Sequence, residues 1–273
     1  MLKALRGHWP EYLMEAAELG MFMISACVFA ILLGHPASPI SRALPHPTGQ
    51  RLLTGIAMGL TAVGILYSPW GQQSGGHLNP AVTLTFLRLG KVRPWDALFY
   101  IGAQFLGGIA GVLVATTFLR EALAHPAVNY VTTRPGETGL LVAFLAEFGI
   151  SFILMSVVLR VSNTAPWARY TPLFAGVLVA TYITLEAPLS GMSMNPARTF
   201  GSALAAQLWT SLWLYFTAPP LGMLAAAEVY RWQQGAHAVL CAKLHHHNDK
   251  RCIFRCDYQA AQTRPPQYTG LTA

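Results

Sequence analysis

The chain has 273 residues, 53% of them hydrophobic and only 11% charged, with a formal net charge of +7. Soluble domains carry about 25% charged residues, so this chain has too few to cover a water-soluble globule of its size. The composition excludes an ordinary soluble domain and points to a lipid environment.

A helix needs about 20 mostly apolar residues to cross a bilayer. Six such blocks follow one another, at roughly 12–33, 52–69, 96–119, 139–159, 172–189 and 209–230. The first block contains Glu15 and Glu18 and is followed by no small-residue cleavage site, so it reads as a mature span and not a removed leader. Its Cys27 reads as packing. Residues 34–50 carry Pro36, Pro39, Pro45 and Pro47 and read as an irregular loop. After the second block comes Ser74-Gly75-Gly76-His77-Leu78-Asn79-Pro80-Ala81-Val82. Residues 120–138 form a longer loop and 161–170 a shorter one. After the fifth block comes Gly191-Met192-Ser193-Met194-Asn195-Pro196-Ala197-Arg198. Beyond Arg231 the hydrophobicity stops and a polar tail begins.

The two motifs have the same physical reading. Asn is a good helix N-cap and Pro is favoured at the first helical position. Each motif therefore feeds a short apolar helix, over 81–89 and 197–204, of about 9 residues or ~14 Å at 1.5 Å per residue. Two of these end to end match one hydrocarbon core of ~30 Å. Irregular backbone at membrane depth is tolerated only where protein buries it or it lines a wet cavity. A lone Asn-Pro is an ordinary capped helix start, but two at the same place in a repeated pattern are not.

The pattern does repeat. Ala17-Glu18-Leu19-Gly20 matches Ala146-Glu147-Phe148-Gly149, Asn79-Pro80-Ala81 matches Asn195-Pro196-Ala197, and Leu106-Gly107 matches Leu221-Gly222. Each half holds three spans and one re-entrant segment. Three is odd, so the second half enters the membrane from the opposite side, an inverted repeat. The expected organisation is a first repeat over 1–125, a second over 126–232 and a tail over 233–273.

The basic residues give an orientation. With both termini inside, thirteen Lys and Arg fall in inner segments, from Lys3 and Arg6 to Arg255 and Arg264, against four in outer segments. This positive-inside bias places both termini in the cytoplasm of a cell (plasma or inner) membrane. Arg198 stands apart, inside the second motif. No aromatic-interleaved basic patch suggests nucleic acid. No His-Glu-x-x-His, phosphate-binding Gly loop or Ser/His/Asp grouping suggests an enzyme.

The paired Asn-Pro-Ala boxes, the Ser-Gly-Gly-His run before the first and Arg198 after the second resemble the aquaporin, or major intrinsic protein, family in its bacterial-type form. The resemblance covers about residues 10–231. It implies an all-α membrane fold of six tilted helices and two half-helices. It also implies a homotetramer with one pore per subunit, passing water or a small uncharged solute without a cofactor. Asn79 and Asn195 would donate hydrogen bonds to the permeating molecule, and Arg198 would stand in the outer constriction and repel cations. Glu18 and Glu147 would brace the re-entrant loops, with His77 as a loop histidine. The rest of the constriction would be Met58, Ile183 and Met192, with Gly59 as an alternative to Met58. This apolar ring and Thr199 depart from both the strict water pattern and the glycerol pattern. The alternative from another class is a secondary active transporter, which shares inverted repeats and broken helices.

The tail lies outside the resemblance, and its chemistry is that of zinc ligands. Cys241 and His245 are four apart, as are Cys252 and Cys256, and four Cys or His close a tetrahedral structural site. His246 or His247 can replace His245. The plainer alternative is a solvated basic tail with free or lipidated cysteines.

Overall fold

The computed structural model describes residues 1–44 and 46–258. Pro45 of the first loop, Arg264 and the rest of the tail beyond 258 lie outside the described residues. The helices in chain order are α1 (Leu2–Gly34), α2 (Pro39–Ala43), α3 (Pro47–Tyr67), α4 (Pro69–Ser74), α5 (Pro80–Arg88), α6 (Pro94–Ala124), α7 (Leu140–Ser162), α8 (Thr171–Leu185), α9 (Ala187–Ser190), α10 (Pro196–Ala206) and α11 (Leu212–Gln234). Three 3-10 turns complete the regular structure, and the described residues contain no strand.

Four helices, α1, α3, α6 and α7, are long and apolar enough to cross a membrane. The fifth apolar block does not form one continuous helix. It is divided at Glu186 into α8, of 15 residues, and α9. At 1.5 Å per residue α8 is only about 22 Å long, and the chain turns back into the protein through α9. The first half does the same: α3 stops at Ser68, whose side chain caps Pro69–Ser74, before the chain returns. The sixth block is α11, 23 residues long with Pro219 and Pro220 inside it.

Close helix approach depends on small residues, as is common in membranes. A Cβ on Gly107 of α6 would lie 2.1 Å from the Ala16 carbonyl oxygen of α1, and one on Gly222 of α11 would lie 2.3 Å from that of Phe148 in α7. These pairs, α1 with α6 and α7 with α11, are the cores of the two halves. Helices α3 and α8 join the halves, with the Gly55 and Gly59 face of α3 against the Ala180 and Gly176 carbonyls.

Polarity is distributed inside out. Leu106, Phe118 and Leu141 are 67%, 79% and 71% exposed, whereas Glu15, Glu18, Gln104 and Glu147 are at 0%. An apolar exterior around a polar interior is stable in lipid and not in water.

Candidate functional site

Helices α5 and α10 start at Asn79 and Asn195. Each Asn accepts backbone bonds through its own Oδ1, from Ala81 at 2.8 Å and from Ala197 at 3.1 Å and Arg198 at 3.2 Å. The amide groups then cross between halves. Asn79 Nδ2 donates to the Met194 carbonyl and Asn195 Nδ2 to the Leu78 carbonyl, both at 2.7 Å. A side-chain amide has two donors, so each Asn keeps one N–H beyond this bond, and both Asn line the central cavity. Leu78 and Met194 have φ of 52° and 54°. That left-handed backbone is costly for a residue with a Cβ, and it stands in each half at the residue whose carbonyl the opposite Asn grips.

Buried carboxylates hold the two strained loops. Glu147 accepts from Ser193 N at 2.6 Å, Met194 N at 2.7 Å and Ser190 Oγ at 2.8 Å. In the first half the matching group is Glu15, which accepts from His77 N at 2.8 Å and from Leu78 N and Gln104 Nε2 at 2.7 Å. Glu18, the expected counterpart of Glu147, sits about one helical turn further on and takes only the Ser74 hydroxyl, at 3.0 Å. The glycine packing shows the same one-turn shift, because Gly222 meets Phe148 while Gly107 meets Ala16. Register here follows the tightest helix contact, and the tetrapeptide likeness around Glu18 does not determine it.

Sequence reasoning also missed Ser74, Ser190, Tyr100 and Tyr215. Tyr100 donates to the Ser74 carbonyl at 2.6 Å and Tyr215 to that of Ser190 at 2.5 Å. Ser190 Oγ shares its one proton between Glu147 and Glu186. The available signal was position, since each Ser stands five residues before its Asn.

A cavity of about 470 Å³ runs past both Asn. Met58, Ile183, Met192 and Arg198 all line it, as do His77 and Leu244. Gly59 instead packs against the Gly176 carbonyl, so of these two it is Met58 that lines the cavity. Arg198 makes no ion pair among the described residues, and its buried Nη1 has no hydrogen-bond partner among them. Neither Glu147 nor Glu186 forms an ion pair with it. Thr199 ties the second loop down, bonding Ser193 at 2.5 Å and Thr133 at 2.9 Å.

His77 bonds Thr83 at 3.0 Å and the Ala242 carbonyl at 2.9 Å. Its ring is stacked between Phe86 and Phe254. The tail therefore folds back onto the first re-entrant loop. Leu244 N donates to the Gly75 carbonyl at 3.0 Å, Arg255 N to that of Lys91 at 2.9 Å, and Arg251 grips the buried Glu11.

In the tail, Cys241, His246, Cys252 and Cys256 present ligand atoms all within 4.8 Å of one another. Cys241 and Cys252 sulfurs are 3.5 Å apart, and Cys256 Sγ is 3.0 Å from His246 Nε2. His245, the expected fourth ligand, faces Tyr67 instead. The segment is not helical, so a four-residue spacing does not align side chains there, and the adjacent imidazoles point to different places. Hydrogen bonds with Cys241 and Cys252 hold the Cys256 thiol far below the usual range, and those with Cys252 and Cys256 push Cys241 up. Burial pushes the nearby Lys243 ammonium down.

The major intrinsic protein family profile matches residues 7–230, ending before the tail. The chain is similar to a probable aquaporin TIP4-1 of Oryza sativa subsp. japonica, 30% identical over 207 residues, which cover 74% of this chain and 81% of that protein. It is also similar to aquaporin NIP6-1 of Arabidopsis thaliana, 39% identical over 185 residues, which cover 67% of this chain and 58% of that protein. The chain thus spans under two thirds of the length of the Arabidopsis relative. Among solved structures, the aquaglyceroporin from Plasmodium falciparum superposes with a TM-score of 0.66 at 19% identity, over 82% of this chain and 95% of that one. At that identity the likeness is one of fold.

Proposed function

The chain belongs to the major intrinsic protein family, and from that premise we propose that it is a passive channel for water or small uncharged solutes. It is an integral membrane protein of a channel family, not of an enzyme family. The observation that carries the reading is the pair of Asn-capped half-helices whose amides cross between halves beside a continuous cavity. Two helix N-termini give that region positive potential. Arg198, which has no ion-pair partner among the described residues, adds positive charge, and together they repel cations and protons.

The wall chemistry supports passive flux over coupled transport. No carboxylate is among the described residues that line the cavity. Glu15, Glu18 and Glu147 are instead engaged by the loops. A coupled transporter needs an ion or proton site on the solute path. The names of the relatives support water or small uncharged solutes as cargo. Met58, Ile183 and Met192 beside Arg198 give a constriction with few hydrogen-bonding groups, which favours less polar solutes beside water.

In this reading the protein sits in the cell membrane as a homotetramer with both termini in the cytoplasm. The positive-inside count supports the orientation, and the exposed apolar faces of α1 and α6 suit lipid or a neighbouring subunit. Permeation needs no cofactor. Solute uptake into proteoliposomes, measured with and without proton and sodium gradients, tests the reading. Equal rates are expected; uptake against a concentration difference, driven by either gradient, contradicts it.

A further inference from the structure

The tail is bonded to the rest of the protein at Leu240, Arg251 and Asp257, and it also touches it through two short segments that each lie between two of the clustered ligand residues. The first is residues 242–245, bounded by Cys241 and His246. Within it the Ala242 carbonyl accepts from His77 Nε2 at 2.9 Å, and Leu244 N donates to the Gly75 carbonyl at 3.0 Å. The second is residues 253–255, bounded by Cys252 and Cys256. Within it Phe254 stacks on His77 and Arg255 N donates to the Lys91 carbonyl at 2.9 Å. Leu244 is buried and belongs to the wall of the central cavity, although it comes from the tail.

From these observations we infer that Cys241, His246, Cys252 and Cys256 bind one zinc-class divalent ion, and that this ion clamps the tail as a plug, led by Leu244, in one mouth of the pore. The plug rests on the channel reading; the metal site does not. Three sulfurs and one imidazole nitrogen are the donor set of a structural zinc site, and the soft donors select zinc-class ions over magnesium or calcium. A tetrahedron with Zn–S arms of ~2.3 Å has S–S edges of about 3.8 Å. The cluster, with all ligand atoms within 4.8 Å and the Cys241 and Cys252 sulfurs 3.5 Å apart, is near that size. On binding, each thiol gives up its proton to solvent and the imidazole ligates in its neutral form.

The clamp adds to the Arg251–Glu11 pair in ordering a stretch that has no regular secondary structure. Between Cys241 and Cys256 the chain forms no helix or strand, and fixing such backbone is entropically costly. One ion closes both contacting loops at their ends. Its loss frees Ala242, Leu244 and Phe254 together, so metal occupancy and pore access are linked. His77 is the coupling element, since it is bonded to the tail and stands two residues before Asn79.

The test uses the full-length protein purified without chelator or added metal. Elemental analysis is expected to give about one zinc-class ion per chain, and a small fraction of that in the Cys252→Ser/Cys256→Ser variant. Stopped-flow permeability of wild-type proteoliposomes is expected to rise about fivefold or more on chelation, the lower end of ordinary coupling between two sites, and to fall back when zinc is restored. The double variant is expected to be fast from the start and insensitive to chelator. A double variant that fails to fold leaves the chelation and re-addition arm, on wild-type protein, to decide. Metal below a tenth of an equivalent that zinc incubation does not raise overturns the site, as does a Cys241–Cys252 disulfide found by mass spectrometry. Full metal occupancy with chelator-insensitive flux overturns the plug. Absence of flux in the metal-free state overturns the channel reading, while the metal analysis still decides the site.

Discussion

The two carboxylates of α1 separate register set by packing from register inferred from local sequence likeness. Glu15→Gln keeps the side-chain volume but turns one acceptor oxygen into a donor. The best orientation keeps oxygen at Oε2, which serves Leu78 N and Gln104 Nε2, and sets the new NH2 against His77 N at the 2.8 Å position. One buried backbone N–H then loses its acceptor, at a cost of about 1–3 kcal/mol. Glu18→Gln keeps an oxygen for the single Ser74 hydroxyl, so its cost is below about 1 kcal/mol. With a shift of about 2–4 °C per kcal/mol for a chain of this order of size, Glu15→Gln lowers the melting temperature by roughly 4–8 °C, taking about 2 kcal/mol as the cost. Glu18→Gln lowers it by less than about half that. The assay is thermal unfolding of detergent-solubilised protein followed by tryptophan fluorescence. A larger loss in Glu18→Gln than in Glu15→Gln refutes the packing argument.

Arg198→Val gives the second motif the residue that follows the first, Val82, and removes the charge at the cavity. A unit charge ~4 Å away is worth about 4 kcal/mol at an effective protein dielectric near 20, so proton or cation leak should rise about tenfold or more in dye-loaded proteoliposomes; unchanged leak makes Arg198 structural. Ile183→His adds a hydrogen-bonding ring to an apolar wall and should raise water permeability relative to less polar solutes. An unchanged ratio, measured by stopped-flow shrinkage with several osmolytes, shows that the Ile183 side chain does not face the permeation path.

The all-helical class and the paired half-helix starts were legible because their signals are local. An Asn followed by Pro caps a helix whatever surrounds it, and a 20-residue apolar block is a span by its composition. Glu15 was not legible as the loop brace because helix register depends on which glycines meet which carbonyls, here Gly107 against Ala16. The same long-range packing placed Met58, and not Gly59, at the cavity. His246 was not legible as the fourth clustered ligand because a spacing of four carries information only in a helix, and the tail is not helical there. That the tail folds back onto His77 could not be read at all. Its contacts join residues 242, 244 and 254 to residues 75 and 77, and nothing in the local sequence reports that pairing.

The most direct measurement of the central claim is osmotic relaxation of metal-stripped proteoliposomes in a stopped-flow light-scattering instrument, beside protein-free vesicles of the same lipid. Vesicles holding the protein are predicted to relax faster for water, or for at least one small uncharged solute such as glycerol, hydrogen peroxide or ammonia. Relaxation as slow as in protein-free vesicles, for water and for every such solute, contradicts the account.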